Sequence, residues 1–138
     1  MLSRQSRVLI VDDLRLVRKI ITDTLTELGF SNIEEAVDGA EAFKKLEAAL
    51  AEGKPYSLVF SDWNMPVMSG FDFLVKCRAH KSFSQIPIIM VTAESEQANV
   101  LKALKAGATD YVVKPLSKIS LAKKLERLDQ IDTKSKVA

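Results

Sequence analysis

Three carboxylates, one lysine and one threonine stand in this 138-residue chain at positions where they could do phosphoryl chemistry. Asp12 and Asp13 directly follow the apolar run Val8-Leu9-Ile10-Val11, and Asp62 comes one residue after Leu58-Val59-Phe60. Thr92 follows Ile88-Ile89-Met90-Val91, and Lys114 follows Tyr111-Val112-Val113. If those runs are strands of one parallel sheet, all five groups meet at its carboxyl edge, where open α/β sheets hold their ligands. Three carboxylates in one crevice repel one another, and proximity pushes at least one toward protonation. A hard divalent cation removes the conflict. Mg2+ suits the donor set because it takes one or two carboxylates, keeps several waters and leaves positions for phosphate oxygens. Calcium would want more protein oxygens, and zinc would want His or Cys, neither of which falls at this edge. A carboxylate beside such an ion can attack phosphorus to give an aspartyl-phosphate. Lys114 would neutralise charge on the transferred oxygens, and Thr92 would donate a hydroxyl to them.

The elements that must position these groups are legible as an alternation of two periods. Each run above is short and apolar on both faces, as in a strand covered on both sides. Between them apolar residues return at helical steps: Leu14, Val17, Ile21, Leu25 and Leu28, a stripe that ends at Gly29. Ile33 to Val37 reads as a weaker second strand. Phe43, Leu46 and Leu50 mark a second helix that stops at Gly53-Lys54-Pro55, and Phe71, Leu74 and Val75 a third. Val100, Leu101 and Leu104 mark a fourth that stops at Gly107, and Leu121, Leu125 and Leu128 a fifth. Strand-helix alternation with right-handed crossovers predicts a doubly wound parallel sheet. The spacing agrees: Asp13 to Asp62 leaves room for two strand-helix units, and Asp62 to Thr92 and Thr92 to Lys114 for about one each.

Composition bounds the function from outside. A chain of this length buries enough surface to fold as one domain without crosslinks, and a single cysteine cannot close an internal disulfide. No apolar run approaches the roughly 20 residues of a membrane span, and the polar start, residues 1–6, does not read as a signal peptide. A cytoplasmic protein is therefore expected, with no membrane or nucleic-acid partner. The net charge of +2 is spread over many residues and leaves no nucleic-acid footprint.

Four segments, VLIVDD (Val8–Asp13), SDWNMP (Ser61–Pro66), MVTAE (Met90–Glu94) and YVVKP (Tyr111–Pro115), together resemble the response-regulator receiver family, and within it the single-domain chemotaxis members. Each segment is weak alone; four in order at matching spacing are specific. The likeness covers about residues 7–129, leaving 1–6 as an extension and 130–138 as a short polar tail. The resemblance implies a flavodoxin-like, doubly wound, five-stranded parallel sheet in the order 2-1-3-4-5 with five helices. It implies a phosphoacceptor switch and not an enzyme, with Asp62 taking phosphoryl from a sensor histidine kinase. Asp13, Asp62 and the backbone carbonyl of Asn64 would ligate Mg2+, and Asp12 would hold it through water. Thr92 and Lys114 would contact the phosphoryl group, the Lys114–Pro115 bond would be cis, and Tyr111 would be the aromatic switch. Asn64 and Glu94 would tune self-dephosphorylation. The family's output surface, the fourth helix, fifth strand and fifth helix, would meet a flagellar switch component or a histidine phosphotransfer protein. A phosphatase is a further candidate partner, and a monomer is expected. Glu96 and Gln97 stand where motor-binding members carry lysines early in the fourth helix, which leaves motor output and phosphorelay both open.

Plainer readings compete. Asp12-Asp13 after a strand is often only a helix cap, and a strand Tyr such as Tyr111 is more often packing than a switch. Trp63 is either packing or an exposed loop aromatic. Cys77 and His80 are expected away from the acidic edge, as structural or solvent-facing residues. A Mg2+ phosphohydrolase would need a general acid two residues past Asp62, where Asn64 cannot protonate a leaving group. A flavin carrier on the same topology would need a phosphate cradle after the first strand, where Asp12-Asp13 would repel phosphate.

Overall fold

The alternation of short apolar runs and helical stripes resolves, in a computed structural model that describes residues 3–93 and 97–137, into five strands and five helices. In chain order these are β1 (Val8–Val11), α1 (Arg15–Glu27), β2 (Ile33–Ala36), α2 (Gly39–Ala51), β3 (Leu58–Asp62), α3 (Gly70–Ala79), β4 (Ile88–Ala93), α4 (Gln97–Ala106), β5 (Asp110–Lys114) and α5 (Lys118–Val137). All strand pairs are parallel, in the order β2-β1-β3-β4-β5. The doubly wound sheet expected from the sequence is therefore the fold.

Because neighbouring residues of a strand point to opposite faces, β1 feeds two cores. Leu9 and Val11 join Phe43, Leu46, Phe73, Leu74 and Ala103 beneath α2, α3 and α4. Val8 and Ile10 join Ile21, Leu25, Leu121 and Leu125 beneath α1 and α5. Caps set several helix ends. Asp38 accepts the Glu41 N–H at 2.8 Å to start α2, and Ser69 accepts the Asp72 N–H to start α3. Gly107, at φ +111°, lets the chain leave α4 in a conformation that a side chain disfavours.

Three sequence expectations change in detail. Asp62, Thr92 and Lys114 do not follow their strands; β3, β4 and β5 run through them, so the functional groups are the last rungs of the ladder. Several stripe residues also face water: Leu14, Leu50, Val75, Leu101 and Leu104 are exposed, while small Ala42, Ala49 and Ala103 take the buried positions. Close helix-sheet packing selects small side chains there, and counting only large apolar residues misplaces the stripe. Finally, the backbone of α5 continues through Val137, so the segment 130–138 is helical up to that residue.

Arg78 ties the ends of α3 and α4 to the loop that precedes β4. Its Nε donates to the Gly107 carbonyl at 2.8 Å and its Nη1 to the Phe83 carbonyl at 3.0 Å, while its stem fills the space beside Gly107. Arg78→Met keeps the stem but strands two carbonyl acceptors. Urea unfolding of that variant is expected to show a loss of about 1–3 kcal/mol.

Candidate functional site

The register of the ladder builds the site. Val11 lies opposite Ser61 and Asp62 opposite Val91, so Asp12, just past the end of β1, comes beside Asp62. Ala93 lies opposite Lys114, which carries the ammonium back over the same edge from β5. Asp12, Asp13 and Asp62 each present a carboxylate oxygen within 4.8 Å of the others. Lys114 Nζ is 3.2 Å from Asp62 Oδ1 and 3.6 Å from Asp12 Oδ2. Asp12, Asp62 and Thr92 are buried, whereas Asp13 and Asn64 are exposed at the mouth. The sequence thus brings Asp12, Asp13, Asp62, Thr92 and Lys114 to one edge, as their positions suggested. Glu94 lies outside the described residues.

The two oxygens of Asp12 have different surroundings. Oδ1 accepts the Leu14 N–H at 2.8 Å and so steers the chain into α1. Oδ2 is buried with no hydrogen-bond partner among the described residues, and the Thr92 hydroxyl is likewise buried and unpartnered. Buried polar atoms are normally satisfied. A carboxylate oxygen met only by the more distant Lys114 ammonium and an unpartnered hydroxyl, beside a second carboxylate, fit a site built for a hard cation and an anionic oxygen group, so these residues suit Mg2+.

Asp62 Oδ1 accepts two donors, the Trp63 N–H at 2.8 Å and Lys114 Nζ. Even so, burial first and the Asp12 charge second push the Asp62 carboxyl up to about 6, against the opposing pull of Lys114. Burial also raises Asp12, held back by the Leu14 N–H and by Lys114. One ammonium does not offset the buried carboxylates, which is the electrostatic form of the conflict legible in the sequence.

A close approach that no sequence pattern announced shapes the next loop. A Cβ on Gly70 would fall 1.8 Å from the Asp62 carbonyl oxygen, and the Gly70 N–H donates to the Trp63 carbonyl at 2.8 Å. Only glycine lets α3 start against the backbone of Asp62. Within the loop, Val67 adopts φ +67°, and the Met68 N–H reaches back to the Pro66 carbonyl at 2.7 Å. That is a γ-turn of the strained hand, on a β-branched residue that is 85% exposed. The Gly39 N–H ties the loop to α2 through the Met68 carbonyl.

The remaining candidates separate cleanly. Trp63 is buried and packs on Phe71 at 5.3 Å, so it is packing and not an exposed loop aromatic. Tyr111 is half-buried on β5 and packs against the core under α2, α3 and α4, with Lys124 Nζ 4.4 Å from its ring centre. Cys77 is fully buried on α3 and burial pushes its thiol up to about 12, which leaves it unreactive. His80 stacks on Phe83 at 4.2 Å, away from the acidic edge. The Lys114–Pro115 peptide is cis, as expected.

Because burial places Asp62 above the ordinary aspartate value of 3.8, its ionisation costs the metal-free fold. Stability is highest while Asp62 stays protonated and falls as pH rises from near 3.8 to about 6. Asp62→Asn is expected to remove that fall and to stabilise the metal-free protein on the order of 2 kcal/mol above it. Thermal melts of both proteins in EDTA across that range measure the difference, and added Mg2+ should stabilise the wild type more than the variant.

Comparison with known proteins agrees with this geometry. Residues 8–126 match the response regulator receiver domain. The chemotaxis protein CheY1 of Helicobacter pylori J99 is 46% identical over 120 residues, 87% of this chain and 94% of that protein. Among solved structures, the chemotaxis response regulator CheY4 of Vibrio cholerae superposes with a TM-score of 0.76 at 35% identity, covering 89% of this chain and 98% of that one. A CheX–CheY complex of Borrelia burgdorferi with BeF3 and Mg2+ matches at 0.77 and 32%, covering 91% and 88%. The matched span contains the three clustered carboxylates and the fifth-strand lysine of this edge: the chain belongs to the response regulator receiver domain family.

Proposed function

We propose that this chain is a response regulator, phosphorylated on Asp62 by a sensor histidine kinase with Mg2+, whose phosphorylated form changes its affinity for a partner in chemotaxis. The observation that carries the reading is the buried pair Asp12 and Asp62 facing Lys114 at the sheet edge. In this reading Asp13, Asp62 and the Asn64 carbonyl hold Mg2+, with Asp12 acting through water. When bound, the ion supplies positive charge against the carboxylates and the incoming phosphoryl oxygens.

The chain's own residues then divide the work. A carboxylate oxygen of Asp62 forms the bond to phosphorus as the phosphorus–nitrogen bond of a phosphohistidine breaks, and the imidazole keeps the electron pair. Lys114, already 3.2 Å from Asp62 Oδ1, stabilises charge on the transferred group. The unpartnered Thr92 hydroxyl donates to a phosphoryl oxygen, which satisfies a group the fold otherwise leaves orphaned. As Thr92 moves toward the phosphate, Tyr111 turns inward. Asn64, at the mouth, and Glu94 tune hydrolysis of the acyl phosphate. The face of α4, β5 and α5, where Leu101 and Leu104 are exposed, reads the state out to a flagellar switch component or a phosphotransfer protein. The chemotaxis relatives support the first of these, and no helix among the described residues is long and apolar enough to cross a membrane.

Radiolabelled acetyl phosphate with Mg2+ is expected to label the protein at Asp62. Asp62→Asn or EDTA should abolish the label, and persistent labelling of the variant would overturn the assignment. Tyr111→Ala should label normally yet bind its phosphorylation-dependent partner about tenfold more weakly, the size of an ordinary coupling free energy. Pull-downs with and without beryllofluoride identify that partner: capture of a flagellar switch component only with the mimic supports motor output, and capture of a histidine phosphotransfer protein supports relay.

A further inference from the structure

Tyr111 does not stand alone on its strand. Asp110, the first residue of β5, is buried, and its Oδ1 accepts both the Tyr111 N–H at 2.8 Å and Lys124 Nζ at 3.1 Å. The same ammonium lies 4.4 Å from the centre of the Tyr111 ring. Lys124 reaches this place from α5, whose rotation is set by buried Leu121, Leu125 and Leu128. Its side chain is only 19% exposed, whereas Arg127, the other cation near Asp110, is 3.8 Å away and mostly in water. One lysine therefore satisfies a buried carboxylate and covers an aromatic face at once.

We propose that Lys124 is a positioning residue for Tyr111: anchored by Asp110, it holds the ring in its half-buried place and ties that place to α5. The proposal rests on the reading that Tyr111 moves when Asp62 is phosphorylated. A ring that turns inward must leave the ammonium, so the contact stabilises the unphosphorylated arrangement and opposes the switch. A lysine whose sole task was to neutralise Asp110 would leave the switch equilibrium untouched, and that difference is measurable.

The chain has two tyrosines, Tyr56 and Tyr111, so fluorotyrosine incorporation gives two fluorine resonances, assigned with Tyr111→Phe. Lys124→Met is expected to move the Tyr111 resonance, leave the Tyr56 resonance in place, and tighten binding of beryllofluoride with Mg2+ roughly two- to fivefold, the weight of one cation–aromatic contact. Lys124→Arg should restore both readouts. An unmoved Tyr111 resonance in Lys124→Met overturns the proposal, and so does a moved resonance with unchanged beryllofluoride affinity. If Lys124→Met does not fold, Asp110→Asn frees the ammonium from its anchor and is judged by the same two readouts. A wild-type Tyr111 resonance that ignores beryllofluoride would refute the role given to Tyr111, a failure distinct from any result on the Lys124 contact.

Discussion

Asp12 and Asp62 lie side by side and buried at the carboxyl ends of adjacent strands, where burial works against the charged form of each. Nothing in the apolar interior relieves them, and most other features of the edge answer that conflict. Lys114 is carried back from β5 to face both. The Trp63 and Leu14 N–H groups each give one hydrogen bond to a carboxylate oxygen. Asp13 adds a third carboxylate at the mouth and so raises the demand for an external cation. A fold that sought stability alone would not assemble this set, because replacing one carboxylate with an amide relieves the repulsion at no loss of packing.

Cations on one strand and one helix are graded around that centre. Lys114 touches the carboxylates themselves, and Lys124, farther from the edge, touches the β5 residues that lead to them. Asp110 and Lys114 bound the same short strand, each paired with an opposite charge, and Tyr111 sits between them. The β5 strand is an edge strand of the sheet, paired among the described residues only with β4. It is thus held on one side by the ladder and on its face by α5 through leucines and a lysine, fewer restraints than surround β3.

Much of this was legible in the sequence because its causes are local or periodic. A run such as Val8–Val11 is buried on both faces and must read apolar throughout, and a residue that ends such a run must sit at a sheet edge. What escaped has a common origin in approach distances. The exposed leucines of α4 and the buried Ala103 exchange expected roles because helix-sheet spacing, not hydrophobicity, decides which side chain fits. Gly70 looks like any glycine at a helix start until the Asp62 carbonyl is seen to fill the place of its Cβ. Lys124 is one of several basic residues in the α5 sequence, and its spacing alone does not set it apart. Only the β5–α5 packing turns it inward onto Asp110 and Tyr111.

Gly70 has a mechanical meaning as well. With its Cα pressed against the Asp62 carbonyl and its N–H bonded to the Trp63 carbonyl, α3 meets β3 in a joint with no slack. Asp62 is also laddered to Val91 of β4 on one flank, and Ser61 just before it to Val11 of β1 on the other. A load applied at the end of β3 therefore finds a stiff seat in three directions, and the compliance lies across the sheet, toward the edge strand. The direction in which this protein can yield is decided by a missing methyl group eight residues from the acidic centre.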